Sequence, residues 1–267
     1  MWAMIAISYI ASVRAKKFLS ILNINHSIHE TMLHVVAPVN RRLVWYLAME
    51  EYLAQHVQEE MFCTWVVSPT VIFGRHQVME AEVNIPYCEA NGIAIYRRKS
   101  GGGCVYADEG NLMMSYISPS THSEVVFQSF LDKVSEVLGD LGFAAVKSEH
   151  NDIMVEGHKV SGNACYALPT GTIVHGTLLV NVDFDALQQA ITPSVEKLAK
   201  HGVKSVRQRV ANLSQYAVFD TIGTIEACSA HLINALCTRT RVLSKEEIAA
   251  IDEIEQSYLD PQFIAGK

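Results

Sequence analysis

The run Arg97-Arg98-Lys99-Ser100-Gly101-Gly102-Gly103-Cys104-Val105-Tyr106 follows the strand-like Gly92-Ile93-Ala94-Ile95-Tyr96 and sets three bare glycines beside three cations. Consecutive glycines stabilise neither a helix nor a strand interior, so their use is close backbone approach and free choice of φ around a bound group. The alternative is an ordinary loop or bulge. Backbone N–H groups beside fixed positive charge suit a phosphate, a carboxylate, or a molecule that carries each in turn. There is no Gly-x-x-x-x-Gly-Lys-Ser/Thr and no Gly-x-Gly-x-x-Gly opening a helix near an acidic ribose partner, which excludes a P-loop and a dinucleotide fold.

A second polar cluster, Asn151-Asp152 to Asn163-Ala164, reads as a strand, a tight turn at Glu156-Gly157, and a return strand interrupted by Gly162. Lys159 stands just past that turn. In a third strand, Thr172 to Asn181, His175-Gly176-Thr177 breaks an apolar run. Polar residues inside buried-looking strands need hydrogen-bond partners or a ligand, because an unpaired one costs about 1–3 kcal/mol. Three such interruptions favour a shared pocket.

Together the residues resemble the lipoate-protein ligase A family, within the wider biotin/lipoate ligase and octanoyltransferase fold group. The matching pieces are Leu47-Ala48-Met49-Glu50-Glu51-Tyr52, Gly74-Arg75-His76-Gln77, the 97–103 run, Gly110-Asn111, Asn151-Asp152, Gly157 to Ala164, His175 to Leu179, and Lys204 to Leu213, in the family's order. The resemblance covers residues 32 to 267. It implies an α+β fold, a mixed or antiparallel sheet packed with helices, and a two-step reaction. Lipoate would attack the α-phosphate of ATP, and a carrier lysine would then attack the acyl-adenylate. By position, Arg98 and Ser100, Gly101, Gly102 and Gly103 would line the acyl tunnel and the carboxylate–phosphate junction. Lys159 would bridge the acyl carbonyl and phosphate oxygens as the catalytic residue, its ammonium facing charge that grows in the transition state. Asn151 and Asp152 would face the adenylate, with Asp152 toward Mg2+. Tyr106, Asn111, Ser161, Gly162, Asn163, His175, Gly176 and Thr177 complete the implied substrate and ATP site. The implied partners are lipoyl domains of 2-oxoacid dehydrogenase complexes or the glycine-cleavage H protein.

Departures from the family pattern set the alternatives. Ala107 stands where many bacterial ligases have histidine, and Tyr46 replaces a common asparagine. Full-size relatives add a small C-terminal domain that assists adenylation, so a separate accessory protein is expected to supply it here. Octanoyltransferases of the same fold need a thiolate for an acyl-thioester, but Val146-Lys147-Ser148-Glu149-His150 and Ile191-Thr192-Pro193-Ser194, where that cysteine would fall, contain no sulfur. Cys104 and Cys165 lie in the motif loops and are expected to be buried or inert. Three readings stand: an ATP-dependent ligase, a lipoyl or octanoyl transferase using a preformed donor, and a lipoate-binding protein without turnover.

The elements that must position these residues are readable from periodicity. Strands are expected near 33–37, 64–67, 70–74, 93–97, 111–117, 152–155, 159–163 and 173–181. Val125, Phe127, Phe130, Leu131, Val134, Val137, Leu138 and Leu141 predict a core-facing helix capped at Gly142. A further helix is expected over 222–238, and Ser244-Lys245-Glu246-Glu247 reads as a capping box opening another. The stretch 214–267 is expected to be a helical tail of the catalytic domain, 32–267.

At 267 residues and 49% hydrophobic, the chain can bury one sizeable core. Its net charge of −7 argues against general nucleic-acid binding. An acidic carrier would then need a local basic face, for which Arg97, Arg98, Lys99 and the group Lys197, Lys200, Lys204, Arg207, Arg209 are candidates; the latter equally reads as a solvated helix face. Six cysteines without a C-x-x-C pair point to a reducing, cytoplasmic setting. No zinc spacing occurs among the eleven histidines, and no Gly-x-Ser-x-Gly elbow nominates a Ser/His/Asp set. Met1 to Ile10 is apolar, but Arg14, Lys16 and Lys17 follow it, so neither a membrane span nor a secretory signal is expected. Residues 1–31 are taken as an N-terminal extension of unassigned role.

Overall fold

A computed structural model describes residues 32–149, 151–191 and 209–266. The N-terminal extension, Lys197, Lys200, Lys204 and Arg207 of the second basic group, and the front of the Lys204-to-Leu213 motif lie outside the described residues.

In chain order the elements are β1 (Met32–Val36), α1 (Leu43–Gln55), β2 (Met61–Trp65), β3 (Thr70–Phe73), the short α2 (Met79–Glu82) and α3 (Ile85–Ala90), β4 (Ala94–Arg97), β5 (Val105–Ala107), β6 (Asn111–Ser118) and α4 (Ser123–Asp140). Then come β7 (Ala145–Lys147), β8 (Asp152–Val155), β9 (His158–Leu168), β10 (Gly171–Leu179), α5 (Phe184–Ala190), α6 (Ile225–Leu236), β11 (Cys237–Val242), α7 (Lys245–Leu259) and α8 (Pro261–Ala265). Eight strands form one sheet in the order β11-β1-β2-β6-β10-β9-β8-β7, parallel across its first three strands and antiparallel beyond, while β4-β3-β5 make a small second sheet. This is the α+β arrangement of mixed sheet and helices that the sequence led us to expect.

Alternation along β6 divides the core. Leu112, Met114 and Tyr116 face α4, where Phe130, Leu131 and Val134 pack on them. Met113, Ser115 and Ile117 face α1. Every residue of α1 from Leu43 to Glu50 is buried, because the helix is enclosed by the large sheet on one side and α7 on the other. A helix that is apolar all round belongs inside, and it carries Glu50 in with it.

Three differences from the sequence reading have simple causes. Val125 is 68% exposed and Val126 is buried instead, since the stripe set by Val126, Phe130, Val134 and Val137 leaves Val125 on the outer face. The helix expected over 222–238 ends at Leu236, and the tail then supplies strand β11. Thr238, Thr240 and Val242 are β-branched, and the open edge of β1 offers a parallel partner. Finally, β9 runs through Gly162 to Leu168, longer than expected. By contrast, Gly142 sits just past α4 with φ +97°, the 156–157 turn has positive φ at both residues, and the Ser244 capping box is present with Glu247.

The C-terminal helices grip the cationic run. The Arg97 guanidinium lies over the Phe73 ring and donates to the Ile264 carbonyl at 3.0 Å and to the Arg75 and Gln77 carbonyls. Lys99 Nζ is 2.7 Å from Glu51 and 4.4 Å above the Tyr258 ring, whose hydroxyl also donates to Glu51.

Candidate active site

Between the two sheets lies a cavity of about 130 Å³ whose lining includes Leu47, Trp65, Ile72 and Met113 at an apolar end and Arg98, Lys159 and His175 at a polar one. A larger cavity of about 780 Å³ opens beyond Leu43 and Trp65. Its Arg41 and Arg42 pair with Asp252 and Glu255, and it is the smaller cavity that the residues nominated from sequence line. An apolar slot with a few convergent polar groups suits a small amphiphilic ligand.

The glycine loop is held from inside by Arg98. This residue is 5% exposed and donates from Nη2 to the Gly101 and Gly103 carbonyls at 2.8 and 2.6 Å, from Nη1 to Ile72 O, and from Nε to Ser100 Oγ at 3.1 Å. Burial pushes its guanidinium down to about 10, which still leaves it charged at neutral pH. Arg97, Arg98 and Lys99 therefore form no basic face for a carrier: the two arginines are 4% and 5% exposed and spend their donors on carbonyls, and Lys99 is paired with Glu51. The buried cations organise backbone, a use that the sequence alone does not display.

Lys159 enters from the β8–β9 hairpin. Its ammonium lies 2.8 Å from Asp152 Oδ1 and is about one-third exposed. Gly162 makes room for it, because a Cβ there would sit 2.7 Å from Lys159 Nζ. The backbone of Lys159 is pinned on its other side, donating to Arg209 O and accepting from Ala211 N. Asn151, with φ +66°, accepts at its carbonyl from Asn163 Nδ2 at 3.0 Å, and Ser161 donates to Asn163 Oδ1. The hairpin thus binds itself into one unit.

Of the residues nominated from sequence, Arg98, Gly102, Gly103, Lys159, Gly162, Asn163, His175, Gly176 and Thr177 meet at the cavity wall. Ser100 and Gly101 stand behind it, and Asn151, Asp152 and Ser161 adjoin it through Lys159 and Asn163. Tyr106 does not reach it. Strand alternation turns Val105 to the cavity and Tyr106 to the opposite core with Val71, Phe73 and Leu187, where burial and Asp108 raise its hydroxyl well above the tyrosine range. Asn111 is fully buried two residues along β6 from Met113, and neither amide atom has a hydrogen-bond partner among the described residues. Ala107 is 0% exposed in the α1-side core, opposite Thr70 across the strand pair.

The sequence reading missed a buried relay. Ser100 Oγ is 2.7 Å from His175 Nε2, His175 Nδ1 is 3.0 Å from Glu50 Oε2, Ser115 donates to Glu50 Oε1, and the Trp65 indole donates to Ser115 Oγ at 2.9 Å. The absence of an elbow motif argued against a Ser/His/acid set, yet the fold assembles one from α1, β10 and the loop. The available signal was Glu50-Glu51 inside an otherwise apolar helix.

A family model for the lipoyl protein ligase A/B catalytic domain matches residues 44–236. The chain belongs to this family. Lipoate-protein ligase LplJ of Bacillus subtilis is 38% identical over 193 residues, covering 70% of this chain and 57% of that protein. The chain thus spans little more than half the length of such curated relatives. Among solved structures, a bi-partite lipoate protein ligase of Thermoplasma acidophilum superposes with a TM-score of 0.77 at 26% identity, covering 89% of this chain and 97% of that one. A lipoate-protein ligase A bound with ATP gives 0.75 at 25%, covering 88% and 99%. The matched family segment carries the glycine loop, the Lys159 hairpin and His175, the three features that converge on the cavity.

Proposed function

We propose that the protein is an ATP-dependent lipoate-protein ligase. The observation that carries this reading is one apolar slot ending at a glycine loop, a lysine ammonium and a histidine, in a chain of the ligase family. The slot takes the acyl chain and the loop receives its carboxylate. One carboxylate oxygen attacks the α-phosphate of ATP and pyrophosphate leaves. A lysine amine of a carrier domain then attacks the acyl carbonyl, AMP leaves, and the amine's proton passes to solvent. Lys159 donates to the oxygens that gain charge in both steps, in a pocket where a preorganised cation is worth more than in water. ATP use is supported by the ATP-bound relative, and a lipoyl-domain partner by the archaeal bi-partite ligase, which has an E2 lipoyl domain of its own.

Asp152 is the carboxylate at the phosphate end, and no group of three or more ligating side chains occurs among the described residues. Magnesium carried on nucleotide phosphates takes one or two carboxylates and keeps its waters, so Asp152 with Asn151 fits a nucleotide-borne ion. Bound there, it would neutralise phosphate charge. A separate accessory protein assisting adenylation and a cytoplasmic location belong to this reading. No helix among the described residues is long and apolar enough to cross a membrane.

Lipoate-dependent exchange of pyrophosphate into ATP tests the proposal, with and without candidate helper proteins. Transfer from synthetic lipoyl-adenylate without any exchange would establish the transferase instead. An acyl-thioester route has little support: Cys165 packs against the α4-side core and burial pushes its thiol up to about 11, far from a nucleophile at neutral pH. Cys165→Ser and Cys104→Ser are expected to retain ligation within about twofold, a surface-like effect; loss of a trapped acyl-enzyme in either variant, seen by mass spectrometry, would overturn this.

A further inference from the structure

We propose that Glu50 is a positioning residue which, through His175 and Ser100, sets the glycine loop for the acid's carboxylate without touching the ligand. The inference rests on the ligase reading for its kinetic arm only. Glu50 is 1% exposed, and a carboxylate that deep is costly unless its oxygens are fully hydrogen-bonded. With Glu50 as the carboxylate and His175 as the neutral ring, the donor inventory orders the protons of the network. Trp65 Nε1–H can only donate, so Ser115 Oγ accepts from it and gives its own hydrogen to Glu50 Oε1. The carboxylate can only accept, so the hydrogen between Glu50 Oε2 and the imidazole belongs to His175 Nδ1. In the neutral ring Nε2 is then an acceptor, Ser100 donates to it, and Ser100 Oγ in turn accepts from Arg98 Nε–H. All these donors run in one direction and each has its acceptor.

The order serine, histidine, carboxylate is that of an activated nucleophile. Ser100 is nevertheless 2% exposed, lies behind the cavity wall, and has its oxygen occupied by Arg98. It is an anchor. What it anchors is the Arg98 fork, which turns the Gly101 and Gly103 carbonyls inward. Across a trans peptide the next N–H points the opposite way, so that of Gly102 is directed away from the guanidinium, on the side where an oxyanion would sit. Glu50 thus fixes the histidine tautomer, the tautomer fixes the serine hydroxyl, and the serine fixes the arginine that shapes the loop.

Nitrogen-15 NMR of histidine-labelled full-length protein tests this directly, with His175 assigned by loss of its signal in His175→Gln. We expect wild-type His175 in the Nδ1–H tautomer, conversion toward Nε2–H in Glu50→Ala, and retention of Nδ1–H in Glu50→Gln, whose amide oxygen still accepts. In lipoate-dependent exchange, Glu50→Ala should raise KM for the acid about ten- to a hundredfold, the loss of a hydrogen bond to a charged group, with kcat changed far less, and Glu50→Gln should restore most of it. Ser100→Ala should give a similar KM, and adding it to Glu50→Ala should cost little more, as members of one network are non-additive. A wild-type Nε2–H tautomer, or an altered tautomer with unchanged KM, overturns the proposal. If Glu50→Ala does not fold, Ser100→Ala and Glu50→Gln carry the same test. If the wild type shows no lipoate-dependent exchange either alone or with candidate helper proteins, the ligase reading fails while the tautomer still decides the relay.

Discussion

Lys159→Ala is expected to lower the rate of lipoyl transfer about 10²–10³-fold, the effect of removing one preorganised donor from developing oxyanions, and to leave the fold intact. The second half follows from exposure. The Lys159–Asp152 pair is about one-third and one-quarter open to solvent, and exposed pairs contribute about 1 kcal/mol or less. The backbone of Lys159 is fixed by Arg209 and Ala211 whatever the side chain. Single-turnover rates with ATP, and separately with preformed adenylate, should both fall, while the urea midpoint stays near wild type. Lys159→Arg should rescue poorly, since a planar fork cannot replace a compact ammonium beside Gly162, where a Cβ would already be 2.7 Å from Nζ. Activity within threefold of wild type in Lys159→Ala would make this lysine structural only.

Arg98→Met should behave in the opposite way, losing stability first. The guanidinium meets the Ile72, Gly101 and Gly103 carbonyls and Ser100 Oγ in a site that is 5% exposed. Methionine fills much of the volume and replaces none of the donors. Buried carbonyls without donors cost about 1–3 kcal/mol each, partly relieved where the loop swings toward water, so a net loss of about 3 kcal/mol in urea unfolding is expected. Lipoate binding, measured by equilibrium dialysis, should fall at least about a hundredfold, because the loop loses the group that turns its carbonyls inward. Unchanged stability with weakened nucleotide binding alone would instead return Arg98 to the phosphate contact suggested by its position in sequence.

The two cases show what could be read from the chain. Lys159 was legible because turn chemistry is local: Glu156-Gly157 demands a reversal, and a lysine just past it projects from a hairpin. The run at 97–103 was legible as a site but not in its wiring. Two adjacent arginines read as ligand-facing charge until their carbonyl partners, supplied by Ile72, Arg75, Gln77 and Ile264 from distant segments, are brought together. Tyr106 was assigned to the wrong face although period-2 alternation beside Val105 offers the correction. Strand β11 was hidden because nothing local stops the preceding helix at Leu236; its partner, β1, lies at the other end of the described chain. The Glu50 relay needed three elements at once, and no spacing rule joins them.

The grip of the last two helices on Arg97 and Lys99 ties the rim of the cavity to the far end of the described chain. Ile264 holds Arg97 and Tyr258 holds Lys99 together with Glu51, and the glycine loop begins at the next residue. Displacing the last described helix would take the Ile264 carbonyl from Arg97 Nε, so that helix and the strand that leads into the glycine loop are not independent.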